Sequence, residues 1–337
     1  MVLKGDSMAD IDILNIQPNK VTKDLKGKYI MIYGSPKIGK TTFCATQLPN
    51  VLLLAAEVGY HAIPGVKAVD ITKWSDVKKI VKQLDSPQAK EMYSTIVFDT
   101  IDLFAQYCEE YVCQQNGVND ISEVPYGKLY KVYSKEFSNI FRKITMMGYG
   151  IVCIAHQEIK VVRNDKGEEY ETIQPVLEKR ALKAINALVD FVLYIGQEWD
   201  ENGNNNRYFY TRNTPFIMAG SRFGEMKPKI PFSYDALIEE ITKAMESSVH
   251  GNFSMISDEE NKRVTTTENK RPFKETMQEA GEIWAQFPKT PEWNERKMAI
   301  VQEYFGQQIK LSTAVESQQD LVESVIEDLK NLLSTVK

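Results

Sequence analysis

The chain has 337 residues, of which 43% are hydrophobic, so it holds enough apolar material for a sizeable core. Its net charge is −5, so the chain has no overall excess of basic residues of the kind that nucleic-acid-binding proteins often carry. Residues 272–337 hold 7 Lys and Arg against 11 Asp and Glu, a net charge of −4, and the remainder is nearly neutral. Any DNA-binding surface would therefore be a local basic patch.

The spacing of the cysteines and the hydropathy of the chain bear on metal binding and on cellular location. No two of the four cysteines form a C-x-x-C pair and the three histidines lie far apart, so we expect no zinc site and reduced thiols in a cytoplasmic protein. No stretch approaches the ~18 consecutive apolar residues of a membrane span, and the start lacks the apolar centre of a signal peptide. We expect neither membrane insertion nor export.

Five short apolar runs alternate with helical patterns over the first two thirds of the chain. They are YIMIY (29–33), NVLLLAA (50–56), STIVFD (94–99), GIVCIA (150–155) and DFVLYIG (190–196). Apolar residues from Leu129 to Ile144 recur at steps of three and four, which predicts a helix with one apolar face. Strands that are apolar on both sides indicate an α/β fold, with a mostly parallel sheet flanked by helices.

The rest of the chain divides by composition. Residues 197–213 predict a hairpin, because a Gly/Asn-rich turn joins the last apolar run to RYFYT, so the sheet is expected to end in antiparallel strands. We predict an N-terminal extension at 1–20, a core domain at 21–246, a polar linker at 247–271 and an acidic helical module at 272–337.

In the predicted C-terminal module, Thr290 caps a helix whose first residue is Pro291 and whose end is marked by Gly306. A last helix is expected to bury one face. The residues assigned to that face are Leu321, Val325, Leu329 and Leu332. The aromatic residues Trp284, Trp293, Tyr304 and Phe305 are expected in the core of the module.

The most specific motif is the loop that follows the first apolar run. Gly34, Gly39, Lys40 and Thr41 satisfy G-x-x-x-x-G-K-[ST], between a predicted strand and a predicted helix start. In such a P-loop the backbone N–H groups and the helix N-terminus hold phosphate oxygens. We therefore predict a nucleotide site formed by Gly34, Ser35, Pro36, Lys37, Ile38, Gly39, Lys40, Thr41 and Thr42. The alternative is a glycine-rich turn with a surface lysine.

Lys40 would reach the β- and γ-phosphates of ATP, and Thr41 would bind Mg²⁺. A second magnesium ligand, acting through water, is expected at the end of a buried strand. Asp99 ends STIVFD and is the first candidate, and Asp102 is its competitor three residues later.

ATP hydrolysis also needs a carboxylate that activates water. Thr100 follows Asp99 where many P-loop ATPases carry glutamate, so the base must come from elsewhere. Glu57 ends the second apolar run, and strand ends gather on one side of a parallel sheet, so Glu57 is predicted as the base. The alternative is a glutamate that merely begins a loop.

His156 and Gln157 follow the fourth apolar run and are expected at the same edge, where they would sense the γ-phosphate. A histidine in such a position is otherwise an ordinary capping group.

These strand ends in this order resemble the RecA-like ATPase core. The segments LKGKYIMIYGSPKIGKTTF, VFDTIDLF and TRNTPFIMAGSRFG resemble phage-encoded RecA-like nucleotide-binding proteins, including the Sak-type single-strand annealing proteins. The resemblance covers about residues 10–245. It implies phosphate contact by Lys40, magnesium binding by Thr41, a magnesium-bound water at Asp99 and a catalytic base at Glu57. Gln157 matches the polar residue that opens the second DNA-binding loop of the family, and His156 departs from the usual residue.

The resemblance also implies head-to-tail rings or filaments with ATP between neighbours, and a basic finger supplied in trans. Arg222 is the first candidate, followed by Arg212 and Lys227. The alternative for Arg222 is a solvated surface arginine.

DNA contact in the family comes from loops after the third and fourth core strands. The second loop is predicted at about residues 159–175. The candidate DNA-binding residues are Lys160, Arg163, Lys166, Lys179, Arg180 and Lys183. Four acidic residues interrupt the predicted loop, and the basic residues at 179–183 are equally typical of a solvated helix face.

From the resemblance we expect an ATP-dependent phage protein in the bacterial host cytoplasm that binds single-stranded DNA and promotes annealing or strand exchange. The C-terminal module would then dock a protein partner or regulate oligomers. The alternative is a nucleotide-dependent assembly or loading factor that acts on proteins of phage replication without touching DNA.

Overall fold

The computed structural model describes residues 20–163, 166–223, 226–248, 256–257, 272–305 and 310–334. The chain divides into two units, Met1–Thr265 and Thr266–Lys337. Nearly all of the predicted N-terminal extension, most of the predicted linker and Gly306 lie outside the described residues. Within the described part of the chain, no helix is both long and apolar enough to cross a membrane.

The first unit is built on a large mixed sheet. The strands of this sheet are β2 (Tyr29–Gly34), β3 (Val51–Ala55), β4 (Ala68–Asp70), β5 (Thr95–Asp99), β6 (Gly150–Arg163), β7 (Glu169–Pro175), β8 (Phe191–Trp199), β9 (Asn205–Tyr210), β10 (Gly220–Ser221) and β11 (Lys229–Pro231). The short strands β1 (Val21–Thr22) and β12 (Ile256–Ser257) pair with each other in a separate two-stranded sheet. The helices of the first unit are α1 (Lys40–Thr46), α2 (Trp74–Leu84), α3 (Pro87–Met92), α4 (Ile101–Gln115), α5 (Lys128–Met146), α6 (Lys179–Asn186) and α7 (Tyr234–Ser248). The five predicted apolar runs form β2, β3, β5, β6 and β8.

The order of the strands is β11-β9-β8-β2-β6-β5-β3-β4. The six strands from β8 to β4 are parallel, whereas β9, β10 and β11 pair antiparallel. The prediction of a mostly parallel sheet that ends in antiparallel strands is confirmed. β6 lies between β2 and β5, so the P-loop strand and the strand of Asp99 are not neighbours.

Helices cover both faces because the central strands are apolar on both sides. Met31 and Tyr33 of β2 point to a core formed with α2, α4 and α5. Ile30 and Ile32 point to the opposite core, formed with α1 and α7. Burying one such side chain contributes about 1.5–3 kcal/mol. The predicted apolar face of α5 is buried throughout.

The predicted loop at residues 159–175 is wrong in its structure. β6 continues to Arg163 and pairs antiparallel with β7, with Gln157 opposite Pro175 and Arg163 opposite Glu169. The segment is rich in β-branched residues, which favour extended backbone over a loop even where the side chains are exposed.

The second unit is a helical module of α8 (Phe273–Gln286), α9 (Pro291–Phe305) and α10 (Gln319–Leu333). Pro291 begins α9 as predicted, and the Thr290 hydroxyl accepts a hydrogen bond from the backbone of Trp293 at 3.5 Å. The four predicted aromatic residues belong to or pack on its core.

The predicted buried face of α10 is wrong at Leu321, which is 37% exposed. Val322 and Ile326 are buried instead, together with Val325 and Leu329. The buried face therefore contains the predicted Val325 and Leu329 and has Val322 and Ile326 in place of Leu321, because the packing against the partner helices sets the rotation of α10.

Candidate nucleotide-binding site

The loop between β2 and α1 has the backbone that a phosphate cradle needs. Gly39 adopts φ 104°, a left-handed conformation that favours glycine. A Cβ on Gly34 would lie 2.8 Å from the backbone oxygen of Ile195, so the strand end admits no side chain there. Pro36, Lys37 and Thr42 are exposed around the loop.

Lys40 is 6% exposed, and its Nζ donates to the carbonyl oxygens of Gly34 and Ser35, each at 2.9 Å. Burial lowers the pKa of Lys40, and the carboxylates of Asp99 and Glu57 oppose that shift. The ammonium is thus held at the loop, beside the place where phosphate oxygens would lie.

The predicted magnesium ligands touch each other. The Thr41 hydroxyl donates to Oδ2 of Asp99 at 2.6 Å, and Asp99 is only 4% exposed. Burial raises the pKa of Asp99, although the Thr41 hydrogen bond and the charge of Lys40 act in the opposite direction. A hydroxyl and a carboxylate oxygen side by side are the hard oxygen donors that Mg²⁺ prefers, so these residues fit the ion.

Asp102, the competitor of Asp99, lies in the first turn of α4 and not against Thr41. Its Oδ1 is buried and has no hydrogen-bond partner among the described residues. From this position the negative charge of Asp102 raises the pKa of Lys40, against the effect of burial.

Glu57 lies at the same edge of the sheet, since Ala55 of β3 pairs with Asp99 of β5. The Thr100 hydroxyl donates to Oε1 of Glu57 at 3.1 Å, and Nδ1 of His156 lies 3.9 Å from the same oxygen. The carboxylate is half-buried, so a water molecule has access to it. Thr100, which is absent from the predicted site, orients the predicted base.

The register of β6 brings His156 beside Gly34. His156 faces Glu57, whereas the Oε1 atom of Gln157 is buried with no hydrogen-bond partner among the described residues. Both residues therefore lie at the predicted edge, and the choice of γ-phosphate sensor between them stays a prediction.

The structure gives Arg222 a role within its own unit. Its guanidinium lies 3.0 Å from Asp190 and donates to two backbone carbonyls, at the start of β8 and so at the far end of the sheet from the P-loop. Lys227 lies 3.9 Å from Glu240, and Arg212 follows β9 past Tyr210, towards the start of β8. None of these three is brought to the P-loop of its own unit, and a role in trans stays a prediction.

Sequence reasoning missed Arg207. Its Nη1 donates to the carbonyl oxygen of Ile38 at 2.8 Å, and its guanidinium lies 4.9 Å from the ring centre of Phe232. Arg207 pairs with Gln197 across the predicted hairpin, two residues beyond the Ile195 that pairs with Gly34. This register places Arg207 at the loop, and no local sequence pattern indicates it.

The six predicted DNA-binding residues are spread over the β6–β7 hairpin and α6. Arg163 forms a 2.7 Å ion pair with Glu169. Arg180 pairs with Glu178 at 3.1 Å and stacks on the ring of Tyr130 at 3.6 Å. Lys160, Lys166, Lys179 and Lys183 are exposed. Arg163 and Arg180 are thus engaged by carboxylates, which reduces the charge they would offer to a phosphate backbone.

A phosphate loop, a Thr–Asp contact with a buried carboxylate, and a glutamate lie together at one edge of this mostly parallel sheet, which is the arrangement of a P-loop nucleotide-binding protein. Residues 26–223 match the family described as an AAA domain (AAA_24), and the chain belongs to this family.

The chain is also similar to two other proteins. The SPbeta prophage-derived uncharacterized protein YorG of Bacillus subtilis (strain 168) is 30% identical over 330 residues, which cover 96% of this chain and 99% of that protein. The solved structure of the flagellar accessory protein FlaH from Methanocaldococcus jannaschii is 15% identical, with a TM-score of 0.32. Its alignment covers 62% of this chain and 85% of that chain.

Proposed function

We propose that the chain is a phage-encoded ATPase that hydrolyses ATP with Mg²⁺ at this edge of the sheet. The observation that carries the proposal is the contact between Thr41 and Asp99 at 2.6 Å, with Lys40 and Glu57 beside it. Bound Mg²⁺ would neutralise phosphate charge, and Thr41 together with a water held by Asp99 would be its protein-side ligands.

The roles of the side chains follow from their contacts. Lys40 would exchange its two carbonyl partners for phosphate oxygens without leaving the loop. Glu57 would orient a water for in-line attack on the γ-phosphorus and accept its proton as the bond to the ADP oxygen breaks. Thr100 and His156 would hold the carboxylate in place.

We further propose that the energy is used on single-stranded DNA, in annealing or strand exchange, by head-to-tail assemblies with ATP between neighbours. Support comes from the resemblance to phage recombination proteins and from the prophage origin of the similar protein YorG. The β6–β7 hairpin begins at His156 and Gln157 and carries the exposed Lys160, so it would connect the nucleotide to the DNA.

A specific observation favours a second candidate, an assembly or loading factor that acts on proteins. On the same hairpin, Arg163 is paired with Glu169, and the apolar Ile159 and Val161 are exposed. Exposed apolar side chains are typical of protein contacts rather than of a phosphate-binding groove.

The test is steady-state ATP hydrolysis with and without single-stranded DNA, with Lys40→Ala as the blank. Stimulation by DNA that depends on Lys40 supports the DNA-coupled ATPase. Hydrolysis that is indifferent to DNA, together with no DNA binding in the presence of ATP, supports the protein-directed factor. Turnover equal in Lys40→Ala and wild type would contradict both.

The hairpin is tested separately, by binding of labelled single strands in the presence of ATP. Replacing Lys160 and Lys166 by glutamine is expected to weaken DNA binding and reduce its salt dependence. Lys90→Gln, a change in an exposed lysine of α3, is the control.

A further inference from the structure

Arg207 lies against the P-loop although it belongs to a distant part of the chain. It is a residue of β9, and its Nη1 atom donates to the carbonyl oxygen of Ile38 at 2.8 Å. A Cβ on Gly39 would lie 2.5 Å from the same nitrogen, so the guanidinium fills the space that a side chain at residue 39 would need. The guanidinium therefore covers one side of the peptide between Ile38 and Gly39.

Aromatic side chains accompany this contact. The backbone N–H of Phe232 donates to the carbonyl oxygen of Arg207 at 3.1 Å, and the Phe232 ring lies beside the guanidinium. Phe209 follows Arg207 by two residues, on the same face of β9, and its ring centre lies 5.2 Å from that of Phe43 in α1. The strand β9 thus contacts the loop through Arg207 and the following helix through Phe209.

No carboxylate neutralises the charge of Arg207. Among the described residues it has no ion-pair partner, whereas Arg163, Arg180 and Arg222 each have one. Its side chain is also exposed. A guanidinium is always charged, so this one raises the positive potential at the loop.

The hydrogen bond to Ile38 fixes the direction of the next N–H group. The peptide bond between Ile38 and Gly39 is trans, so the Ile38 carbonyl and the Gly39 N–H point in opposite directions within one plane. With the carbonyl held by Arg207, the Gly39 N–H points away from the guanidinium. This N–H has no acceptor among the described residues. Backbone N–H groups of such a loop are the groups that hold phosphate oxygens.

We infer that Arg207 is a positioning residue of the nucleotide-binding site, which holds the peptide between Ile38 and Gly39 so that the Gly39 N–H faces a phosphate oxygen. The inference rests on the proposed binding of ATP at this loop. A loop that is already oriented loses less conformational freedom when it binds phosphate. Because the same orientation serves bound ATP and the transition state, Arg207 is expected to determine affinity and not the chemical step.

The test is nucleotide binding to the full chain carrying Arg207→Gln, measured by competition with a fluorescent ADP analogue in the presence of Mg²⁺. We expect the affinities for ATP, ADP and inorganic pyrophosphate to fall by the same factor of about ten, since a hydrogen bond from a charged donor is lost in each case. Single-turnover hydrolysis at saturating ATP should change less than about threefold. Arg207→Lys, which retains a charged donor, should recover most of the affinity. The matched control is Arg142→Gln, a change in an exposed arginine of α5, which should alter affinity less than about twofold.

Affinities of Arg207→Gln within about threefold of wild type, or losses equal to those of Arg142→Gln, would overturn the inference. A loss for ADP without a loss for pyrophosphate would also overturn it, because the guanidinium would then act on the base or the ribose. Slower hydrolysis with unchanged affinity would do the same, because it would make Arg207 a catalytic residue. If Arg207→Gln does not fold, Arg207→Met decides by the same criteria, since it retains an unbranched side chain without donors.

Lys40→Ala separates this inference from the proposed function. If Lys40→Ala binds ATP as tightly as wild type, the proposed nucleotide site itself is wrong. If Lys40→Ala loses affinity and Arg207→Gln does not, the nucleotide site stands and the positioning role of Arg207 is overturned.

Discussion

Replacing Glu57 by glutamine removes the charge of the proposed base and retains its shape. The Thr100 hydroxyl, 3.1 Å from Oε1, would donate equally well to the glutamine oxygen, so the side chain is expected to stay in position. Neither Lys40 Nζ nor the Thr41 hydroxyl uses Glu57 as its acceptor, because they bond to loop carbonyls and to Asp99. The substitution should therefore leave ATP affinity within about threefold.

The loss is expected in the chemical step. A positioned general base contributes about 10²–10⁴-fold, which corresponds to about 2.7–5.4 kcal/mol of activation free energy. Single-turnover hydrolysis with enzyme in excess measures this step, and equilibrium binding of a fluorescent ATP analogue measures the affinity. Glu91→Gln, a change in an exposed glutamate of α3, serves as the control. A loss of less than about tenfold with unchanged affinity would refute the assignment of Glu57 as the base.

Three further predictions concern stability. Because burial raises the pKa of Asp99, the folded chain retains this proton to higher pH than the unfolded chain, so wild type loses stability as the pH rises through the raised pKa. In urea unfolding, the free energy of unfolding of Asp99→Asn should increase relative to that of wild type as the pH rises above about 4, the ordinary pKa of aspartate, while Mg²⁺-dependent turnover is lost. In thermal unfolding, Tyr133→Phe should stabilise by about 1 kcal/mol, since its hydroxyl is unpaired among the described residues, whereas Tyr33→Phe should cost about 1–2 kcal/mol because its hydroxyl donates to the backbone carbonyl of Met218 at 2.6 Å. Gly34→Ala should cost about 1–3 kcal/mol in the same assay, since its Cβ would lie 2.8 Å from a backbone oxygen.

Each of these has an outcome that counts against it. A stability gap between wild type and Asp99→Asn that does not change with pH would mean that the carboxylate is not strained by burial. Equal effects of the two tyrosine substitutions would mean that the hydroxyl of Tyr133 finds a partner. A Gly34→Ala variant as stable as wild type would show that the strand end can shift.

Short sequence patterns were sufficient to predict the P-loop and the core strands. The P-loop follows from fixed residue types at fixed spacing, and the core strands from runs of apolar residues that only a sheet covered on both faces accommodates. The rule that parallel strand ends share an edge was enough to bring Glu57, Asp99 and His156 to the same place as Lys40.

What the sequence did not yield depends on pairing between distant segments. The contact of Arg207 with the P-loop requires the register of β9 on β8 and of β8 on β2, which no local pattern encodes. In the sequence, Arg222 lies in a glycine-flanked segment and was predicted to act on a neighbouring subunit. Its ion-pair partner Asp190 lies more than thirty residues away in sequence, so the pair could not be predicted locally. The shift of the buried face of α10 away from Leu321 has the same origin, since partner helices fix the rotation of a helix.

The fourteen residues of β6 form one continuous strand, the first six buried in the sheet and the remainder emerging as the hairpin. Because no break separates the two parts of β6, a rotation of the strand at His156, beside Gly34, would be carried along the whole hairpin. The six residues from Glu158 to Arg163 extend about 20 Å, so a tilt of about 5° at Gln157 moves the far end of the strand by about 1.7 Å. A small change at the nucleotide would thus be magnified mechanically at the tip, without any segment having to fold or unfold.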